Sequence, residues 1–137
     1  MSTKIDQFCE TMRVNLNSVE AQLEAAKADI GKAQKDGADA FDRKLAEART
    51  AVESQRNDVE AAGIKVSHWV AAQTEAGEAV IKEWKDKFDK SKLEMHADRA
   101  EASARSSVIL AKAALADAKL ATLEAIAARQ NVTVDAK

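Results

Sequence analysis

Along residues 41 to 80, small or apolar side chains return in alternating steps of four and three: Phe41, Leu45, Ala48, Val52, Val59, Ala62, Val66, Trp69, Ala76 and Val80, with polar Gln55 and Gln73 completing the series. A mean step of 3.5 residues keeps one stripe of a helix turned toward a neighbour along its whole length. A lone helix of this polarity would gain little in water, so the stripe implies other helices packed against it.

Upstream, Ile5, Phe8, Met12, Leu16, Val19, Leu23, Ala26, Ile30 and Ala33 predict a first helix over about 3–35, capped by Thr3. Two successive steps of four, through Phe8, Met12 and Leu16, would locally unwind a supercoil. Asp36-Gly37 is the strongest break in the chain. The glycine suits a left-handed helix end, and Asp39 suits the cap of a second helix over 39–89. Within that helix Gly63 falls in a regular stretch and costs about 1 kcal/mol. Gly77 precedes a lengthened spacing through Val80, Trp84 and Phe88, which allows a bend. Ser91 and Glu94 have the spacing of a capping box and open a third helix over about 91–129. Its stripe is Ala97, Ala100, Ala104, Val108, Ala111, Leu115 and Ala118, widened by Leu110, Leu120, Leu123 and Ile126. Residues 131–137 lose the periodicity and are expected to fray.

These elements predict an all-α single domain over 1–137: an elongated antiparallel three-helix bundle with coiled-coil packing. The alternative is a four-helix bundle with a break near Gly63 or Gly77. At 1.5 Å per residue, a first helix of roughly 50 Å would face a second of roughly 75 Å. The excess, from Ile64 to Phe88, carries Trp69, Val80, Ile81, Trp84 and Phe88. Contiguous exposed apolar surface marks association sites, so these five residues form the candidate interaction surface.

Composition sharpens this picture. Thirty of the 137 residues are alanine, and proline and tyrosine are absent. Alanine lets helices approach closely but removes little area from water, so the core is thin and a buried small-molecule pocket is disfavoured. Net charge is −2, with the signs interleaved rather than gathered into a basic stripe, which argues against nucleic acid as a partner. Glu83 with Lys87, Asp86 with Lys90, and Glu101 with Arg105 have the spacing of helix-surface ion pairs.

The chain offers little catalytic chemistry. A helical di-metal centre wants glutamate three residues before histidine, but Lys65 precedes His68 and Leu93 precedes His96. Glu94, Asp98 and Glu101 read as a solvated acidic face, and Asp36, Asp39 and Asp42 lack the ligand spacing of a calcium loop. Cys9 lies beside the apolar stripe of the first helix and is expected to be partly buried. The first dozen residues hold Asp6 and Glu10 and no apolar run, so neither a signal nor a membrane span is expected, and the setting is read as cytoplasmic.

No catalytic residue, cofactor or metal is expected, and the chain is read as non-enzymatic: a structural or interaction protein that binds itself or another helical protein. The alternative is a coat on lipid or a hydrophobic granule, for which Trp84 among Lys82, Lys85 and Lys87 has the right amphipathic character. In composition, the alanine-rich, proline-free helices resemble exchangeable apolipoprotein-type and phasin-type proteins, and that resemblance implies the same coating role.

Overall fold

A computed structural model describes residues 3–33 and 35–135, with side chains described throughout except at 74–76 and 133–135. The chain is all-helical and bundle-like, with no strand among the described residues. Helix α1 covers Thr3–Lys32, α2 Ala38–Ser54, α3 Arg56–Asp86 and α4 Lys90–Asp135. Helix α3 is broken at Gly77, giving five helical segments in place of the three expected.

Both new breaks fall inside the stretch predicted as one helix over 39–89. At Gln55 the backbone turns to φ −92 and ψ −3, and its N–H bonds back to the Glu53 carbonyl. The Gln55 side chain donates to the Ala113 carbonyl at 3.3 Å, which ties this break to α4. At Gly77 the backbone takes φ 57 and ψ 177, a region open essentially to glycine alone. Gly63 stays within regular helix. The heptad positions survive the first break: Phe41, Leu45, Ala48 and Ala62 are buried, while Val52, Gln55, Val59, Val66 and Trp69 are half-buried. Beyond Trp69 the pattern slips by one residue, so that Ala72 is half-buried and Gln73 exposed. The described side chains do not include the next seam residue, Ala76.

The chain forms two compact units, one of residues 1–15 with 58–110 and the other of 16–57 with 111–137. The second unit holds the best-packed core: Ala33, Phe41, Leu45, Ala48 and Leu123, with Leu120, Ile126 and Ala127 against it. Leu123 is the one large side chain that is completely buried among those described. Two glutamines reach consecutive carbonyls of α4 here, Gln22 that of Lys112 at 2.8 Å and Gln55 that of Ala113. Lys119 bonds Asp29 at 2.7 Å, and Lys44 bonds Asp36 at 2.6 Å. In the first unit Ala62, Val108, Ser103 and Ser106 are buried, and the larger apolar side chains are at best half-covered.

The predicted stripes need correcting in α1 and α4. Ile5, Leu16 and Leu23 are exposed, while Asn15 and Gln22 are half-buried. The buried face of α1 therefore runs Phe8, Met12, Asn15, Val19, Gln22 and Ala26, which restores regular steps of four and three. The predicted stutter at Leu16 disappears because helix geometry outweighs the local choice of an apolar residue, and the Gln22 amide is satisfied across the interface. In α4, Ala97, Ala111 and Ala118 are exposed, and Ser103, Ser106 and Ala113 are covered instead. The helix also continues through 131–135, where fraying was expected; Ala136 and Lys137 lie outside the described residues.

The caps differ as well. Gly37 is extended rather than left-handed and is itself the residue before α2, with no side-chain cap from Asp39. Before α4, Asp89 accepts the Lys92 N–H at 3.3 Å, so Asp89 rather than Ser91 does the capping.

Candidate functional site

The break at Gly77 assembles the aromatic cluster of the first unit. Trp69 lies before it and Trp84 after it, yet both rings meet His96 of α4, at centroid distances of 4.9 and 6.0 Å. The two indoles therefore lie no more than about 11 Å apart. Fifteen residues of unbroken helix would separate their backbones by roughly 22 Å, so in a straight helix both side chains would have to lean toward His96 from opposite ends. Both tryptophans belong to the surface predicted from the sequence; His96, whose spacing raises only the question of a metal ligand, does not. The available signal was the turn at Phe88: folding α4 back there brings residues on either side of it together.

That turn has its own geometry. The Phe88 N–H bonds to the Lys85 carbonyl and the Asp89 N–H to the Trp84 carbonyl, the paired bonds that close a helix with a left-handed residue. Glycine or asparagine is usual at that position, whereas here it is Phe88, at φ 54 and with 89% of its surface exposed. A non-glycine residue held left-handed costs of order 1–3 kcal/mol, so the chain tolerates strain to present a phenyl ring to solvent. Val80, Ile81, Trp69 and Trp84 are half-buried, leaving Phe88 as the fully displayed member of the predicted surface.

Beside Trp69 opens a groove of about 420 Å³. Helix α3 contributes Lys65, His68, Trp69 and Ala72 to it, at the spacing of one helix face, and α4 contributes Arg99, Ala102 and Ser103. Sequence reading had disfavoured a buried pocket; what the fold makes is a groove open to solvent. The Lys65 and Arg99 head groups make no ion pair with any described carboxylate. Acidic and basic groups pair elsewhere. Glu83 and Lys87 meet at 2.7 Å and Glu10 and Arg13 at 2.6 Å, and in each pair the hydrogen bond pulls the carboxyl below its usual value and lifts the base above its own. The predicted pairs Asp86 with Lys90 and Glu101 with Arg105 do not form.

Cys9 is exposed rather than partly buried. Among the described residues no group of three His, Cys, Asp or Glu side chains is placed to hold a metal ion, and no helix is long and apolar enough to cross a membrane. No protein-family model, curated protein or solved structure matches the chain.

Proposed function

We propose that this is a non-enzymatic helical scaffold that associates with a second copy of itself through the corner formed by Phe88, Val80, Ile81 and Trp84. The observation that carries the reading is Phe88, exposed and held in a left-handed conformation. Backbone strain concentrates where a side chain must be presented, and aromatic anchors dominate association energies. A net charge of −2 opposes self-association only weakly. Coiled-coil packing along the seam from Phe41 to Trp69 belongs to this reading, supported by the burial of its heptad positions. So does a reducing, cytoplasmic setting, with which the free thiol of Cys9 agrees.

The test is absolute mass by light scattering over the micromolar range, on the wild type and on Phe88→Gly. The wild type is expected to be a dimer or larger. Phe88→Gly should weaken association by about 30-fold or more, the effect of losing an anchor worth about 2 kcal/mol, with helicity unchanged. A wild type that stays monomeric throughout sinks the proposal.

One observation favours the coating role as a second reading. Nine apolar residues are buried among those described, and five of them are alanines. So thin a core costs little to open onto an apolar surface. Flotation with lipid vesicles and with apolar beads separates the two readings, since a scaffold of the first kind remains at the bottom of the gradient.

A further inference from the structure

We infer that the groove beside Trp69 binds a small organic anion with a planar apolar body, of the aryl carboxylate class. This goes beyond the scaffold reading and uses a different surface, so either can fail alone. Three features of the groove converge on such a ligand. First, Lys65 and His68 of α3 line it together with Arg99 of α4, and neither Lys65 nor Arg99 forms an ion pair with a described carboxylate. Absence of an ion pair is common among the basic residues of this chain; what the groove adds is two such cations on facing helices at one opening, which favours an anion over a neutral ligand. Arg99 adds a planar fork suited to a carboxylate.

Second, the floor is polar at one point. Ser103 is only 6% exposed and lines the groove. Its carbonyl accepts a bond from the Ser107 hydroxyl, while its own hydroxyl bonds to none of the described residues. No buried polar side-chain atom is sealed off without a partner, so the Ser103 hydroxyl is reached from the groove and is free to bond a ligand oxygen. That hydroxyl is open to solvent, so an occupant that displaces water from it must accept a hydrogen bond in its place.

Third, the remaining wall is apolar. Trp69, Ala72 and Ala102 offer an indole and two methyl surfaces, and the indole is already oriented by its contact with His96. An inorganic anion would leave this wall wet, and a neutral aromatic would leave the cations unanswered. A body with one or two rings and one carboxylate uses both. The volume, about 420 Å³, falls within the range of small-molecule sites. The carboxylate class follows from the chemistry of the lining; no bond to the ligand is made or broken.

The experiment is a titration of the full chain with 2-naphthoate, with its neutral amide and with inorganic phosphate. The readout is the Trp69 indole N–H resonance, identified by its disappearance in Trp69→Phe. Saturable binding of 2-naphthoate is expected, with the amide and phosphate each weaker by about tenfold or more. Arg99→Gln and Lys65→Gln alter exposed side chains, leave helicity unchanged, and should each weaken 2-naphthoate severalfold. Arg13→Gln, far along the sequence and paired with Glu10, should have no effect. Equal binding of acid and amide, or binding indifferent to Arg99→Gln, would reduce the groove to a greasy surface and overturn the inference. An indole resonance unmoved by 2-naphthoate would do the same.

Discussion

Replacing Gly77 and Gly63 by alanine, one at a time, should change stability in opposite directions. A methyl group built on either glycine meets no atom within 4 Å, so packing contributes nothing to the comparison and backbone conformation decides it. At Gly63 the backbone is helical, and alanine should stabilise by about 0.5–1 kcal/mol through the lost freedom of the unfolded chain. At Gly77, with φ 57 and ψ 177, alanine enters a region that costs of order 1–3 kcal/mol. The two variants should therefore differ by about 1.5–4 kcal/mol, outside the error of urea unfolding followed by helical circular dichroism. The site supplies an independent readout. Because the break at Gly77 lets Trp69 and Trp84 share His96, strain there should also weaken the near-ultraviolet signal of the indoles, which Gly63→Ala leaves alone. If Gly77→Ala stabilises the protein as Gly63→Ala does, the helix runs straight through residue 77 and the convergence on His96 is wrong.

Other consequences can be checked with the same assays. Leu123→Ala removes the one large side chain that is fully buried among those described, packed with Phe41 and Leu45, and should cost about 3–4 kcal/mol, whereas Ile109→Ala at an exposed position should cost under about 1. The hydrogen bond from Lys119 holds the Asp29 carboxyl below its usual range, against a smaller opposing effect of burial. Since the folded value is the depressed one, the pair's contribution is complete above about pH 5 and drains away as pH falls through the ordinary 3.9 to the lower folded value. Lys119→Met should flatten that acid limb in a stability profile, and an unchanged limb would show that the bond contributes nothing. Amide exchange should be slowest around residues 41–48 and 120–127, and faster from 78 to 93, where no large side chain is fully buried.

The helical class and the seam were legible because periodicity reports them directly: Phe41, Leu45, Ala48 and Ala62 are buried at the positions their spacing implies. The breaks were legible only where composition marks them. Gly77 carried a glycine and a change in spacing, and it breaks; Gln55 carried only a polar residue in an apolar series, and its break rests on a bond to Ala113, 58 residues away, that local pattern does not contain. The same blindness explains Leu16 and Leu23. Ranking α1 positions by hydrophobicity selects those leucines, but the helix half-covers Asn15 and Gln22 instead, and the Gln22 amide is satisfied by the Lys112 carbonyl of its neighbour. For the site, Trp69, Trp84 and Phe88 were named from exposure arguments. The groove was not, because Lys65 and Arg99 are ordinary surface residues until α3 and α4 set them on the same opening.

The uneven packing of the two units bears on where binding can occur. The unit containing Leu123 spends its apolar side chains on its own core, with Phe41, Leu45 and Leu123 almost wholly covered. The other covers its small residues, Ala62, Ser103 and Ser106, and leaves its aromatic ones half-open. Covering side chains that small stabilises little; among the described residues Val108 is the largest apolar side chain buried in this unit, and Trp69 and Trp84 meet at His96 only half-covered. A fold optimised for its own stability would bury Trp69 and Trp84 and place glycine at residue 88. Phenylalanine there, beside two half-buried indoles, is a local cost with no return inside this unit, and that is the ground on which the proposed self-association is assigned to residue 88.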